Sequence, residues 1–231
     1  IMYKQAKLSN SQLVYFVLFG LTLNAFGMGM TVATNLGSAM WTASSVNLSV
    51  WLGLPLTVVM ILLGACQIIV NGLISGSWEL PKIIGNIFVV LFFGSFVGLF
   101  THLFLVIGIG QLPIGLRILV TIVGILFVGS GISISQRVNL VLHPWDELTN
   151  LLRFKCFKGK AHQAQLAAFA IPCTITLILW LVTRQVYAVN IGTVISFFCQ
   201  GKLIGWADMR VFPALTHRLP LLDSLRNNWS Y

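Results

Sequence analysis

Long apolar runs, separated by short polar segments, occupy most of this sequence. A helix that crosses the hydrocarbon core of a membrane needs about 20 mainly apolar residues. Six runs reach that length, and they predict transmembrane helices over residues 13–33, 56–75, 84–105, 113–134, 164–183 and 188–207. Two further segments, 35–55 and 137–162, are interrupted, and the helix-like stretch in each is too short to cross a membrane. We interpret them as half-helices or re-entrant segments.

The composition excludes a soluble protein. Hydrophobic residues make up 57% of the 231 positions and charged residues only 8%, whereas a soluble domain carries about 25% charged residues. A net charge of +9 would suggest nucleic acid as the partner of a soluble protein. Here the basic residues are too few and too dispersed to follow a phosphate backbone. We therefore predict no nucleic-acid partner and expect membrane lipids as partners.

The positions of Lys and Arg predict the orientation of the chain, because short cytoplasmic loops are enriched in basic residues. Arg184 falls in an external loop, and Arg117 lies in the first turn of the fourth span. With a cytoplasmic N-terminus, eleven of the fourteen basic residues lie on the cytoplasmic side: Lys4, Lys7, Lys82, Arg137, Arg153, Lys155, Lys158, Lys160, Arg210, Arg218 and Arg226. We therefore expect a multi-pass protein whose two termini are both cytoplasmic.

The two halves of the sequence resemble each other. Asn35 and Trp41 match Asn139 and Trp145 at a constant offset of 104 positions. Glycines and an Ile-Gly dipeptide in the spans match as well, namely Gly27 and Gly29 with Gly129 and Gly131, and Ile84-Gly85, Gly94 and Gly98 with Ile191-Gly192, Gly201 and Gly205. Chance alignment of residues that are common in membrane helices is the alternative explanation.

If the repeat is real, each half holds three spans and one half-helix, and the odd number of spans inverts the second half relative to the first. The predicted fold is an all-α polytopic membrane protein with six transmembrane helices plus two half-helices, arranged as two inverted three-span repeats. Repeat 1 covers 13–105 and repeat 2 covers 113–207, joined by an external linker over 106–112. Residues 1–12 and 208–231 are predicted to be cytoplasmic.

The third span of each repeat carries a Gly-xxx-Gly pair, Gly94 with Gly98 and Gly201 with Gly205. Small residues at this spacing allow two helix backbones to approach closely. We expect these four glycines to pack helices along the seam between the repeats rather than to bind a ligand.

The segment from Gly27 to Trp41 (GMGMTVATNLGSAMW), together with Asn139-Leu140 and the HPWD sequence of 143–146, resembles the repeated "NLG…PWD" signature of the YczE/YyaS/YitT membrane proteins. Residues 191–193 are similar to the "GIGT" motif of that family. The resemblance covers about 15 to 215 and implies a protein of the bacterial inner membrane with duplicated halves. Three positions depart from the signature: Met40 replaces Pro, Thr42 replaces Asp and Val141 replaces Gly.

Pro144-Trp145-Asp146-Glu147 is the most distinctive local sequence. Pro at a first helical position, followed by acids in the first turn, is typical of a helix start. Because ionisable groups at membrane depth are costly and usually functional, Asp146, with or without Glu147, is a candidate proton or cation site. Pairing of the acids with the basic loop 153–160 is a further alternative.

The matching residues of the first half are uncharged and suit a polar or anionic ligand at a helix N-terminus. Trp41 and Trp145 offer stacking faces, with anchoring at the membrane interface as the alternative. The predicted substrate-binding set is Asn35, Gly37, Ser38, Trp41, Thr42, Asn139, His143, Trp145, Asp146 and Glu147. The amides within the spans are expected to join helices more often than to bind substrate.

The sequence does not favour an enzyme. It holds no nucleophile elbow, phosphate loop or metal-binding pattern of His and Cys, so we predict no catalytic residues, no metal and no cofactor. Asp208 and Arg210 are expected to form an interfacial ion pair.

Three functions follow from these features. The leading hypothesis is a small-molecule transporter or permease, of unknown substrate, with a central cavity between the two half-helices. The alternatives are a non-catalytic partner subunit of a larger membrane complex or biosynthetic machinery, and a lipid-handling protein. Association with itself or with another membrane protein stays open.

Overall fold

The computed structural model describes residues 9–76, 78 and 80–217, and only the backbone at 81 and 82. Predictions for residues 1–8 and 218–231, and for the side chain of Lys82, lie outside the described residues. The described chain is helical and contains no strand. Its elements are α1 (Asn10–Ala33), α2 (Met40–Leu52), α3 (Leu56–Ser75), α4 (Leu80–Val106), a 3₁₀ turn (Ile109–Gln111), α5 (Ile114–Val138), α6 (Pro144–Lys155), α7 (Ala161–Thr183) and α8 (Ile191–Arg210).

The long helices give the chain the character of a multi-pass membrane protein. Within the described ranges, five helices are long and apolar enough to cross a membrane, namely α1, α3, α4, α5 and α7. Helix α8 has 20 residues but is not among the five; it carries Gln200, Lys202 and Asp208. Large apolar side chains stand exposed along α3, α4 and α7, for example Leu73, Phe88 and Leu181. Extended apolar surface of this kind marks contact with lipid or with another protein.

Helices α1 and α5 form the centre of the fold and make its most extensive helix–helix contact. A Cβ built on Gly27 would lie 2.5 Å from the carbonyl oxygen of Gly124, and one built on Gly131 would lie 2.6 Å from the carbonyl oxygen of Gly20. Any side chain at these positions would push the two backbones apart. The seam between the two halves of the chain is therefore a contact between glycines of α1 and α5.

The Gly-xxx-Gly pairs of α4 and α8 have other surroundings. A Cβ built on Gly94 or Gly98 would have no atom within 4 Å, so nothing in the described chain packs closely there. Gly201 packs on α7, because its Cβ would lie 2.7 Å from the Cα of His162, whereas Gly205 is in ordinary contact with the same helix. None of the four lies on the α1–α5 seam.

The offset of 104 positions relates the starts of several elements. Helices α1 and α5 begin at this separation, and so do α2 and α6. At the same offset Gly20 aligns with Gly124 and Gly27 with Gly131. The match of Gly27 and Gly29 to the glycines at 129 and 131 needs an offset of 102, which the helix starts do not follow.

The loop after α1 folds against the start of α8. Asn35 and Gly37 adopt left-handed backbone conformations with φ of 52° and 94°, and the Leu36 carbonyl accepts the N–H of Gly192 at 2.8 Å. A Cβ on Gly37 would lie 2.6 Å from Thr193 Oγ1. The Asn-Leu-Gly and Ile-Gly-Thr motifs, far apart in sequence, therefore form one contact.

Replacing Gly37 with alanine should destabilise the protein more than the same change at Gly53. Both glycines have a left-handed φ, but Gly53 has nothing within 4 Å of a built Cβ. Gly53→Ala should therefore lower the free energy of unfolding by about 1–2 kcal/mol, which is the cost of placing alanine in a left-handed backbone conformation. Gly37→Ala adds overlap with Thr193, which costs about 1 kcal/mol or more. Thermal unfolding in detergent measures the difference, and equal losses would contradict the steric contact.

A buried charge cluster joins the ends of α5, α6 and α8. Asp208 accepts from Arg153 Nη2 at 2.6 Å and from Ser133 Oγ at 2.7 Å, and lies 3.7 Å from Arg137 Nε. His217 Nε2 lies 3.3 Å from the same carboxylate. The Arg137 guanidinium is 1% exposed and donates to backbone carbonyl oxygens at the end of α8 and beyond it, namely those of Asp208, Val211, Phe212 and Leu215.

The ion pair expected between Asp208 and Arg210 is not among these contacts. Residues two apart on a helix do not face each other, and Arg210 is exposed while Asp208 points inward. The arginine partners of Asp208 are instead Arg137 and Arg153, two of the residues that were predicted to lie in cytoplasmic loops.

Candidate functional site

The two short helices begin side by side in the interior. The starts of α2 and α6 are buried, and Trp41 and Trp145 occupy the second position of each. The start of α6 is well defined, because Pro144 takes the first helical position and His143 Nδ1 accepts the Trp145 N–H at 3.5 Å. The start of α2 has no side-chain cap.

Trp41 and Trp145 stack on each other, with ring centroids 5.0 Å apart and ring planes 6° from parallel. Their exposed fractions are 6% and 5%. Residues that anchor a protein at the membrane interface lie on its outer surface, so these two do not have that position. Neither indole N–H has a hydrogen-bond partner in the described chain.

A small cavity adjoins the Trp pair. It offers ≈ 30 Å³ to the centres of water molecules, and a single water needs about 10–15 Å³. This volume holds about two waters and leaves no room for an acyl chain. The lining comes from seven helices and two of the loops between them: Asn24, Met28, Ala39, Trp41, Phe93, Ile132, His143, Trp145, Asp146, Gln165, Phe169 and Gln200.

Asp146 is the acidic residue of this lining. It belongs to α6, which is too short to cross the membrane, and its carboxylate accepts from Asn24 Nδ2 at 3.4 Å. Asn24 lies nine residues before the end of α1, so Asp146 sits roughly 14 Å inside that end at 1.5 Å per residue. Burial raises the pKa of the Asp146 carboxyl to about 7, since a charged carboxylate is poorly solvated here. Burial likewise lowers the pKa of His143 to about 3, which keeps its imidazole neutral.

The stability of the wild-type protein relative to Asp146→Asn should fall as the pH rises from about 4 to 7. The pKa of the Asp146 carboxyl is higher in the folded protein than in the unfolded chain. Between these two pKa values the folded protein holds a proton that the unfolded chain does not, so folding becomes less favourable as the pH rises. The stabilisation is complete below the ordinary pKa and disappears as the pH passes 7. His143 has the opposite effect, but it is common to both proteins and cancels. Melting temperatures across the pH range test this, and a pH-independent difference would contradict it.

Glu147 faces away from the cavity, although it follows Asp146 directly. Its carboxylate accepts hydrogen bonds from Nδ2 of Asn86 and of Asn71, and Asn71 also donates to the Pro144 carbonyl at 2.7 Å. These amides belong to α3 and α4. Glu147 therefore joins α6 to the neighbouring helices, and the expectation that amides within spans join helices describes Asn71 and Asn86 well.

The predicted binding residues divide into two groups. Four lie together at the cavity: Trp41, His143, Trp145 and Asp146. The others have positions elsewhere: Asn35 and Gly37 lie in the loop against α8, Ser38 N–H bonds to the Ala188 carbonyl, Thr42 Oγ1 contacts Met28 Sδ, Asn139 ends α5 with a left-handed φ of 48°, and Glu147 faces α3 and α4.

The cavity also uses residues that the motif comparison missed. Asn24, Gln165 and Gln200 contribute amides from α1, α7 and α8, and Phe93 and Phe169 contribute apolar walls. Asn24 Oδ1 and Gln165 Oε1 are buried and have no hydrogen-bond partner among the described residues. An amide within an apolar span is the sequence signal that could have identified these three residues. In the described chain no group of three or more His, Cys, Asp or Glu residues is placed to hold a metal ion.

Comparison with known proteins gives a family and nothing beyond it. No curated protein and no solved structure matches the chain. The model of one family, described as a family of unknown function (DUF6198), matches residues 11–209. Because this match covers most of the sequence, the chain belongs to the DUF6198 family.

Proposed function

We propose that this protein is a small-molecule transporter of the bacterial inner membrane, built from two inverted repeats whose half-helices enclose a central binding cavity. Its substrate reaches the cavity alternately from the two sides of the membrane. Helix α8 is the sixth span, and both termini lie in the cytoplasm, as the positions of the basic residues favour. The resemblance to the YczE/YyaS/YitT proteins supports the same membrane and the same duplication.

Contacts between the halves support the inverted repeat. At an offset of 104, Gly20 corresponds to Gly124 and Gly27 corresponds to Gly131. The contact of Gly20 with Gly131 therefore has the contact of Gly124 with Gly27 as its counterpart. The same exchange carries Trp41 onto Trp145, so this pair stacks on its own counterpart. A two-fold axis in the membrane plane produces such reciprocal contacts.

The loop motifs make a similar pair of contacts, although the third spans match at an offset of 107 positions rather than 104. In the first half, Gly37 contacts Gly192 at the start of α8. In the second half, Val141 contacts Gly85 near the start of α4, with both Val141 methyl carbons 3.0 Å from a built Cβ. Helix packing agrees, because α1 lies on α4 as α5 lies on α8, and α2 lies on α7 as α6 lies on α3.

The observation that carries the transporter proposal is the buried meeting of the two half-helix starts at a cavity lined by Asp146 and three amide side chains. Interrupted helices at membrane depth are tolerated where protein or a cavity satisfies their backbone groups. In transporters with inverted repeats, such interruptions form the binding site. A buried ionisable group at that place is costly for stability and is therefore expected to serve function.

Flux into liposomes tests the proposal. Purified protein should move a solute from a metabolite panel in a pH-dependent manner, and Asp146→Asn should flatten the pH dependence because the titrating group is gone. Glu147→Gln is the matched control, since it neutralises the adjacent acid that faces away from the cavity. Absence of flux for every solute, or an unchanged pH profile in Asp146→Asn, would contradict the proposal.

A partner subunit of a membrane complex is the second candidate, and the open face of α4 favours it. Gly94 and Gly98 line this face without a neighbour in the described chain, and small residues at this spacing often meet another helix. A stoichiometric partner that co-purifies with the wild type and is lost in Gly94→Leu would support this function.

A further inference from the structure

We propose that the central cavity binds one small monovalent cation that carries hydrogen-bond donors, and that ammonium is the simplest such ligand. The inference names the class of substrate for the proposed transporter and rests on that function only as far as movement across the membrane is concerned. Binding itself follows from the charge, the size and the polar atoms of the cavity.

The charge of the cavity favours a monovalent cation. Asp146 is the acid among the lining residues, and the lining contains no Lys or Arg. The other titratable side chain in the lining is His143, which is buried and neutral. Ionised Asp146 therefore leaves a single negative charge that the lining does not compensate. An anion is disfavoured for the same reason, although two helix N-termini lie nearby.

The size of the cavity limits the ligand to very few atoms. A volume of ≈ 30 Å³ for the centres of water-sized spheres suits one ammonium ion, which is about as large as water, with or without one water beside it. A quaternary ammonium ion with four methyl groups exceeds this space. The stacked Trp pair and the two Phe residues form much of the cavity wall.

In the described chain, the residues of the lining carry unpartnered polar atoms of both kinds: two amide oxygens that accept hydrogen bonds, and the indole N–H groups of Trp41 and Trp145 that donate them. Asn24 and Gln165 are each 3% exposed, and Asn24 Oδ1 and Gln165 Oε1 have no donor in the described chain. An unpartnered buried acceptor costs about 1–3 kcal/mol, and a donor held in the cavity removes that cost. Asn24 and Gln165 both line the cavity beside Asp146, so a ligand that donates hydrogen bonds has the Asp146 carboxylate and these two amides as its candidate acceptors.

The same lining is poorly suited to an alkali-metal ion. Such an ion exchanges its hydration shell for a ring of several oxygen atoms. Gln200 adds little here, because its Oε1 already accepts from Ser196 Oγ at 2.6 Å. Aromatic rings occupy much of the remaining wall, and they attract an ammonium group through the cation–π interaction.

Equilibrium binding to the full-length protein in detergent tests the inference without any flux. Calorimetric titration with ammonium chloride, at about pH 8 and constant ionic strength, keeps Asp146 ionised. We expect one saturable site per chain, at least about tenfold weaker binding of potassium and of tetramethylammonium, and at least about tenfold weaker ammonium binding in Asp146→Asn. Glu147→Gln should bind as the wild type does, with melting curves confirming that both variants are folded.

The outcomes separate the two proposals. Equal affinity for potassium and ammonium, equal affinity in Asp146→Asn, or no saturable binding to the wild type would overturn the inference. Ammonium binding without ammonium flux into liposomes would leave the site in place and count against transport. Flux of another solute, with no ammonium binding, would leave transport in place and overturn the cation site.

Discussion

Replacing Asp208 with asparagine should destabilise the protein by about 3–5 kcal/mol. Asparagine keeps the shape of the side chain and one acceptor oxygen, but it removes the negative charge between Arg137 and Arg153. These two side chains are only 1% and 9% exposed, so their positive charges would remain buried without compensation. For a chain of this length, the apparent melting temperature should fall by roughly 6–20 °C, as measured by thermal unfolding in detergent.

Arg210→Gln is the matched control, because it removes a charge two residues away on the exposed face of α8. Its effect should stay within about 0.5 kcal/mol. If Asp208→Asn and Arg210→Gln cost the same, the buried cluster would not have the energetic role assigned to it. A large loss in Arg210→Gln alone would instead restore the ion pair expected from the sequence.

Gly27→Ala and Gly131→Ala should each destabilise the protein by about 3 kcal/mol, at the upper end of the cost of overpacking. The new methyl group would meet backbone atoms of the facing helix, at 2.5 Å and 2.6 Å from the carbonyl oxygens of Gly124 and Gly20. A backbone carbonyl cannot turn aside as a flexible side chain does. Helices α1 and α5 would therefore have to separate along their whole contact.

Gly94→Ala and Gly98→Ala provide the comparison on α4. A methyl group there meets nothing within 4 Å, and alanine forms helix better than glycine by about 1 kcal/mol. The melting temperature should therefore stay the same or rise. A comparable loss at all four positions would mean that contact with the facing helix does not determine the effect, and would contradict the assigned seam.

Much of the fold was predictable because hydrophobic length and interruption are local properties. The start of α3 at Leu56 and the short helices that open at Met40 and Pro144 agree with the predicted segments. The role of the Gly-xxx-Gly pairs was not predictable, since spacing shows that two backbones can approach but not which ones do. Gly27 and Gly131 are not part of a Gly-xxx-Gly pair, and the three-dimensional contact is what shows that they, rather than Gly94, lie on the seam.

The candidate site was half predictable for a similar reason. Trp41, Trp145 and Asp146 stand out because they begin interrupted helices, and the structure brings them to one cavity. Glu147 is adjacent to Asp146 in sequence, but neighbouring residues on a helix point in different directions, and it faces Asn71 and Asn86 instead. Gln165 reaches the cavity from a helix whose sequence shows only that it holds an amide.

The two helix starts that meet at the cavity are not chemically equivalent. At the offset of 104, the residue of α2 that corresponds to Asp146 is Thr42. The two helix starts therefore match in position, but one of these two matched residues carries a carboxylate and the other does not. Two carboxylates meeting at a shared buried site would hold one proton between them up to high pH, because like charges oppose each other's ionisation. A single carboxylate instead titrates alone, so the proposed cation site would exchange one proton for one monovalent cation per chain.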